Sequence, residues 1–132
     1  MNNMNAAAAR APVANRSDKD KLIGAVMELR ALGYWAREAQ RDGAKAVPED
    51  VLKRGGKWVV TDERENGKFN ADGNLGGLVD TERGVPKDCT LHVHHQSRDA
   101  AEIVTVLRQH GLDAAIVNEG DCDEVVVYPT LV

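Results

Sequence analysis

The chain has 132 residues, 42% hydrophobic and 29% charged, with a formal net charge of −4. Those proportions are typical of a water-soluble globular domain and exclude a coiled coil, a collagen-like chain or wholesale disorder. A chain of this length buries about two-thirds of its unfolded surface and needs neither a disulfide nor a metal to fold. No stretch approaches the ~18 apolar residues that would span a bilayer.

Residues 1–16 hold Ala6 to Ala9, Pro12 and several Asn without the compact apolar block of a secretory signal. They read as a disordered tail before one α+β domain at 17–132. Such a tail has too little apolar surface to offset its ordering entropy. Deleting it is expected to leave the melting temperature nearly unchanged, and a drop of many degrees would show that it packs on the domain.

The tail contains Arg10 and Arg16 and no acid, which leaves the domain with 15 basic and 21 acidic side chains. No Lys or Arg follows Arg108, whereas Asp113, Glu119, Asp121, Asp123 and Glu124 do. Nucleic-acid affinity rests on Lys and Arg neutralising phosphates, so this end repels nucleic acid and suits a protein partner with a basic surface. Cys89 and Cys122 are too few and too far apart for a disulfide framework or a zinc motif, which points to reduced thiols and a cytoplasmic setting. One strand length of roughly 15 to 20 Å is expected between them, beyond disulfide reach.

In chain order, Ser17 as N-cap with Asp18 and Asp20 in the first turn predicts a helix running to about Asp42 and stopped by Gly43. Its core face is Leu22, Ala25, Val26, Leu29, Leu32 and Ala36. A second stripe of Ile23, Met27 and Tyr34, with Trp35, needs another cover, which the following loop, the short helix at Pro48 to Arg54 or a homodimer interface would supply. A short helix at Pro48 to Arg54 ends at Gly55 and Gly56, and Lys57 to Thr61 reads as a strand. Residues 62–88 are glycine-rich and predict a short hairpin from Lys68 to Asn70 and Leu78 to Asp80, or a functional loop.

Cys89 to His95 alternates as a half-buried strand, with His92 and His94 on one face and His95 on the other. A helix from Ser97 to His110 follows, with Ala100, Ile103, Val104 and Leu107 inward and Gly111 as its stop. Ala114 to Asn118 and Glu124 to Thr130 are strands joined by a turn at Glu119 to Asp123. Strand, helix and strand in so few residues predict parallel neighbours, and the short turn an antiparallel return. The expected architecture is α+β: two main helices on one face of a mixed four- to five-stranded sheet, with a C-terminal β-α-β-β unit and no internal repeat.

The constellation with most chemistry is His92, His94 and His95 at the end of their strand, with Glu119, Asp121 and Asp123 brought to the same end. Imidazoles and carboxylates form a donor set for a divalent metal such as zinc, nickel or iron, although strand histidines at i, i+2 are common without one. Asn70, Asp72 and Asn74 have a calcium loop's residue types, but Thr81 stands where that loop needs a bidentate Glu. No phosphate-binding glycine motif occurs, Ser17 and Ser97 are placed as helix caps, and flanking aspartates disfavour a Cys122 thiolate. The balance favours a non-enzymatic interaction domain, accessory or inhibitory, acting through its acidic surface and first helix, with no membrane or nucleic-acid partner and no required cofactor. The alternatives are a metal-binding protein or metal-dependent enzyme built on the histidine strand, and a small-ligand-binding domain.

Overall fold

In the computed structural model the described residues are 16–76, 90–120 and 122–129, the side chains of Glu119 and Cys122 excepted. The elements are α1 (Asp18–Ala31), β1 (Trp35–Gln40), α2 (Glu49–Lys53), β2 (Trp58–Asp62), β3 (Leu91–His95), α3 (Ala100–Gln109), β4 (Asp113–Glu119) and β5 (Cys122–Tyr128). Short 3-10 turns occupy Gly43–Ala46, Glu63–Lys68 and Ser97–Asp99. The strands form one mixed sheet in the order β1-β2-β3-β5-β4, so the α+β class and the helical layer are as the sequence predicts. Among the described residues no helix is long and apolar enough to cross a membrane.

Helix α1 starts where expected, with the Ser17 hydroxyl accepting the Asp20 N–H at 3.1 Å. It ends eleven residues before the predicted Asp42. Gly33 adopts φ 95°, the left-handed conformation that glycine takes without penalty. The Gly33 N–H then reaches Arg30 O and the Tyr34 N–H reaches Leu29 O, both at 3.0 Å, closing the last turn. The chain leaves as β1, and the expected apolar stripe is divided. Tyr34 is 4% exposed in the core, Ile23 is half-buried, Met27 is 61% exposed, and Trp35 lies on β1 against a different cluster. Of the predicted core face, Leu22, Ala25, Val26 and Leu29 are buried while Leu32 is 45% exposed.

The same ending recurs at α3. Leu29, Arg30, Gly33 and Ala36 correspond in spacing to Leu107, Arg108, Gly111 and Ala114. Gly111 has φ 88°, its N–H bonds Arg108 O at 2.9 Å, and the Leu112 N–H bonds Leu107 O at 3.1 Å. Arg30 Nε donates to Ala36 O and Arg108 Nε to Ala114 O, each at 2.8 Å. A local repeat is therefore present where none was expected, and it delivers the chain from a helix into an edge strand twice. At each edge an arginine occupies a carbonyl of the strand, a protection that exposed sheet edges need.

The C-terminal unit differs from expectation in one respect. β3 and β4 run in the same direction, yet they are not neighbours, because β5 lies between them and pairs antiparallel with both. Composition explains the order. Val125, Val126 and Val127 are all buried and need cover on both faces, whereas β4 exposes Asp113, Ile116 and Asn118 and tolerates an edge. β1 pairs parallel with β2, and β2 antiparallel with β3. Ser97, expected as a helix cap, opens a 3-10 turn before α3, whose inward face is the predicted one.

Helices α1 and α3 cover one sheet face around Leu29, Leu91, Ile103 and Leu107. On the other face, Val47, Val51, Trp58 and Val60 form a smaller core with Trp35 and Ala44. Asp18 ties the next segment to α1: its carboxylate accepts the Leu75 N–H and its own N–H donates to Asn74 Oδ1, both at 3.0 Å. Asn70 Oδ1 accepts the N–H groups of Asp72 and Asn74. These bonds hold the turn at 70–74. A Phe69–Leu75 bridge closes the segment, while the predicted partner at 78–80 lies outside the described residues. Lys68 holds the next exit and return: the Gly76 N–H bonds its carbonyl, and its ammonium donates to Thr90 O and pairs with Glu65 Oε2, each at 2.6 Å.

Asp62 closes β2 by accepting the Arg64 N–H at 3.0 Å and its guanidinium at 3.2 and 3.3 Å. Those bonds hold its carboxyl below the ordinary value of 3.8, the backbone donor contributing most and His94 least. A depressed native value stabilises above the unfolded value and is lost as pH falls through the native one. Asp62→Ala is therefore expected to lower the urea midpoint at neutral pH, with the gap to wild type closing on acidification below about 3.8. A constant gap down to about pH 2 would contradict this.

Candidate functional site

The two faces of β3 have different fates. Leu91 and Val93 enter the core under α1 and α3, so alternation puts His92 and His94 on the opposite face. On β5, Val125 and Val127 face the helices, and Glu124, Val126 and Tyr128 the other side. Among the described residues the small core beneath α2 lies over the β1–β2 half of that face. The half formed by β3, β5 and β4 thus presents His92, His94, Glu124 and Tyr128 beside the wall made by Trp58.

His92 Nδ1 is hydrogen-bonded to Glu124 Oε1. A carboxylate acceptor places the proton on Nδ1 and leaves Nε2 as the basic nitrogen. His94 is exposed, and its cross-strand partner is the buried Val60. His95 points to the helix side and donates from Nδ1 to Gln96 O at 2.7 Å. Two depressions share Glu124. One of about 320 Å³ is lined by Lys68, Thr90, His92, Val126 and Tyr128, and the other of about 280 Å³ by Ala44, Trp58, His94, His95 and Asp123.

Of the residues predicted as metal ligands, His92 and His94 share a face, while His95 and Asp123 belong to the other parity. Asp123 accepts from Asn118 Nδ2 at 2.8 Å. Asp121 and the side chains of Glu119 and Cys122 lie outside the described residues, as does Cys89. Among the described residues no three His, Cys, Asp or Glu side chains stand where one metal ion could take them all. The acid that meets the histidines is Glu124, one residue beyond the predicted set, and Trp58 was read only as a strand residue. The expected interface residues are not brought together: Tyr34 is interior, Trp35 lies under Arg37 with 4.9 Å between guanidinium and ring centroid, and Met27 is alone exposed among them.

No protein-family model, no curated protein and no solved structure matches this chain.

Proposed function

We propose that the protein is a small-ligand-binding domain whose ligand lies on the histidine face of the sheet. The observation that supports it is the pair of adjoining depressions around Glu124, on the part of the sheet face that lies beyond the small core beneath α2 among the described residues. Ligand sites join apolar walls to a few convergent polar groups, and here Trp58 and Val126 supply the former and His92, His94 and Glu124 the latter. The combined space suits a molecule of metabolite size. A saturating ligand at about 100 times its Kd adds roughly 2.7 kcal/mol to stability, several degrees in melting temperature for a domain of this size. A panel of small polar metabolites should therefore include compounds that raise the melting temperature of the wild type and not of the His92→Ala/His94→Ala variant. A chain that answers to none of them, or a double variant that responds equally, would sink the reading.

A protein partner is the second reading. A groove of about 470 Å³ beside α1 and α3 is lined by Leu32, Ala101 and Val106 together with Glu28 and Glu102, a mixture that suits an apolar segment with basic flanks.

A further inference from the structure

The two edges of the sheet are closed to different degrees. On β1 the Trp35 N–H bonds Lys57 O toward β2, so alternation turns the carbonyls of Ala36 and Glu38 outward. Side chains fill both: Ala36 O accepts from Arg30 Nε at 2.8 Å and Arg37 Nη1 at 2.7 Å, and Glu38 O from Gln40 Nε2 at 2.9 Å. Ala39, at φ 54°, then breaks the strand's regularity. β4 is different. Glu119 and Cys122 flank a two-residue turn and so form a hydrogen-bonded pair, from which bonded and non-bonded pairs alternate. Val117, Ala115 and Asp113 therefore bond β5, whereas Ala114, Ile116 and Asn118 turn their N–H and C=O groups to the open side. Arg108 Nε, which reaches Ala114 O from that side at 2.8 Å, obeys this parity. Among the described residues the backbone N–H and C=O of Ile116 and Asn118 meet no side chain or further strand. Ile116 is 42% exposed, and the seven-residue strand has no Pro, Lys or bulge, the devices that commonly blunt an edge.

We infer that the β4 edge takes up an extended, basic segment of another protein as a further strand, antiparallel to β4. Ile116 exchanges both its N–H and its C=O with one residue of that segment, and Asn118 and Ala114 bond the residues two before and two after it. Charge selects the occupant. No Lys or Arg follows Arg108, and Asp113 and Glu119 stand at the two ends of the strand. A second copy paired about Ile116 would set Asp113 opposite Glu119 at both ends, a like-charge arrangement that opposes pairing. A segment with Lys or Arg three residues either side of its central one sets cations there instead. This surface is the rim of the sheet and stands independently of the small-ligand reading.

The test is amide hydrogen exchange, read residue by residue on the ¹⁵N-labelled full chain. The probe is the capped peptide Lys-Thr-Val-Val-Val-Thr-Lys, which reads alike in both directions, and its control is Glu-Thr-Val-Val-Val-Thr-Glu. In the free chain the amides of Ala115 and Val117, bonded to β5, are expected to exchange slowly and those of Ile116 and Asn118 fast. The lysine peptide is expected to slow Ile116 and Asn118 by about tenfold or more, and the glutamate peptide to leave them unchanged. Ile116→Pro removes an outward N–H and no bond to β5, so Ala115 and Val117 should stay protected while the peptide's effect on Asn118 is lost. Should that variant lose its fold, Ile116→Lys puts an edge-guarding lysine at the same exposed position and is expected to lose the effect as well. Equal protection by both peptides, protection by neither, or an effect retained in a folded variant overturns the inference. So does slow exchange of Ile116 and Asn118 in the free chain, where light scattering then tells a second copy on the edge from cover by the chain itself.

Discussion

Replacing Tyr34 by alanine is expected to lower stability by about 3–5 kcal/mol, the usual loss when a buried aromatic ring is cut to a methyl group. Its ring fills the core with Leu29, and its hydroxyl donates to Glu102 Oε1 at 2.5 Å. Burial, and then that hydrogen bond, hold the phenol well above its ordinary value, while the donated bond keeps the Glu102 carboxyl below its usual range. Tyr34→Phe keeps the ring and leaves a half-exposed Glu102 to water, so the expected loss is about 1 kcal/mol. The hydroxyl's contribution is present below the unfolded value of about 10 and is lost as pH rises toward the higher native one. Denaturant melts of wild type and Tyr34→Phe should converge above that pH. A Tyr34→Asp variant that stayed folded and merely became monomeric would place the ring at an interface and contradict the fold.

The second large effect separates two leucines three positions apart. Leu29 is 1% exposed and Leu32 is 45% exposed. Leu29→Ala should cost about 2–5 kcal/mol, and Leu32→Ala no more than about 0.5 kcal/mol. A helix continuing to residue 42 would put both side chains on one buried face and make the two losses similar. Urea midpoints of the two variants therefore test where α1 ends.

That ending was hard to read because β1 is Trp-Ala-Arg-Glu-Ala-Gln, five of whose six members are good helix formers. Pairing with the fully buried β2 makes it a strand, a tertiary demand that outweighs local preference. The sign was Gly33 with Tyr34 behind it, which is also the sign at Gly111 and Leu112, where the helix end was predicted correctly. α3 was legible because Ala100, Ile103, Val104 and Leu107 make one face and Glu102, Thr105 and Gln109 the other. The parity of His92 and His94 was legible for the same kind of reason. Glu124 was missed because its meeting with His92 depends on the β3–β5 register, fixed between residues 32 positions apart. Asp123 was read as the last residue of a turn, whereas β5 already begins at Cys122, so Asp123 and Glu124 are successive strand residues on opposite faces of the sheet.

Lys68 acts on two distant stretches of backbone through different atoms. Its carbonyl receives the Gly76 N–H and its ammonium holds Thr90 O, so positions 76 and 90 are both tied to one residue. Lys68→Met keeps the carbonyl's bond and removes both contacts of the ammonium, so it is expected to free Thr90 and leave the Glu65 carboxylate without its cation while Gly76 stays in place.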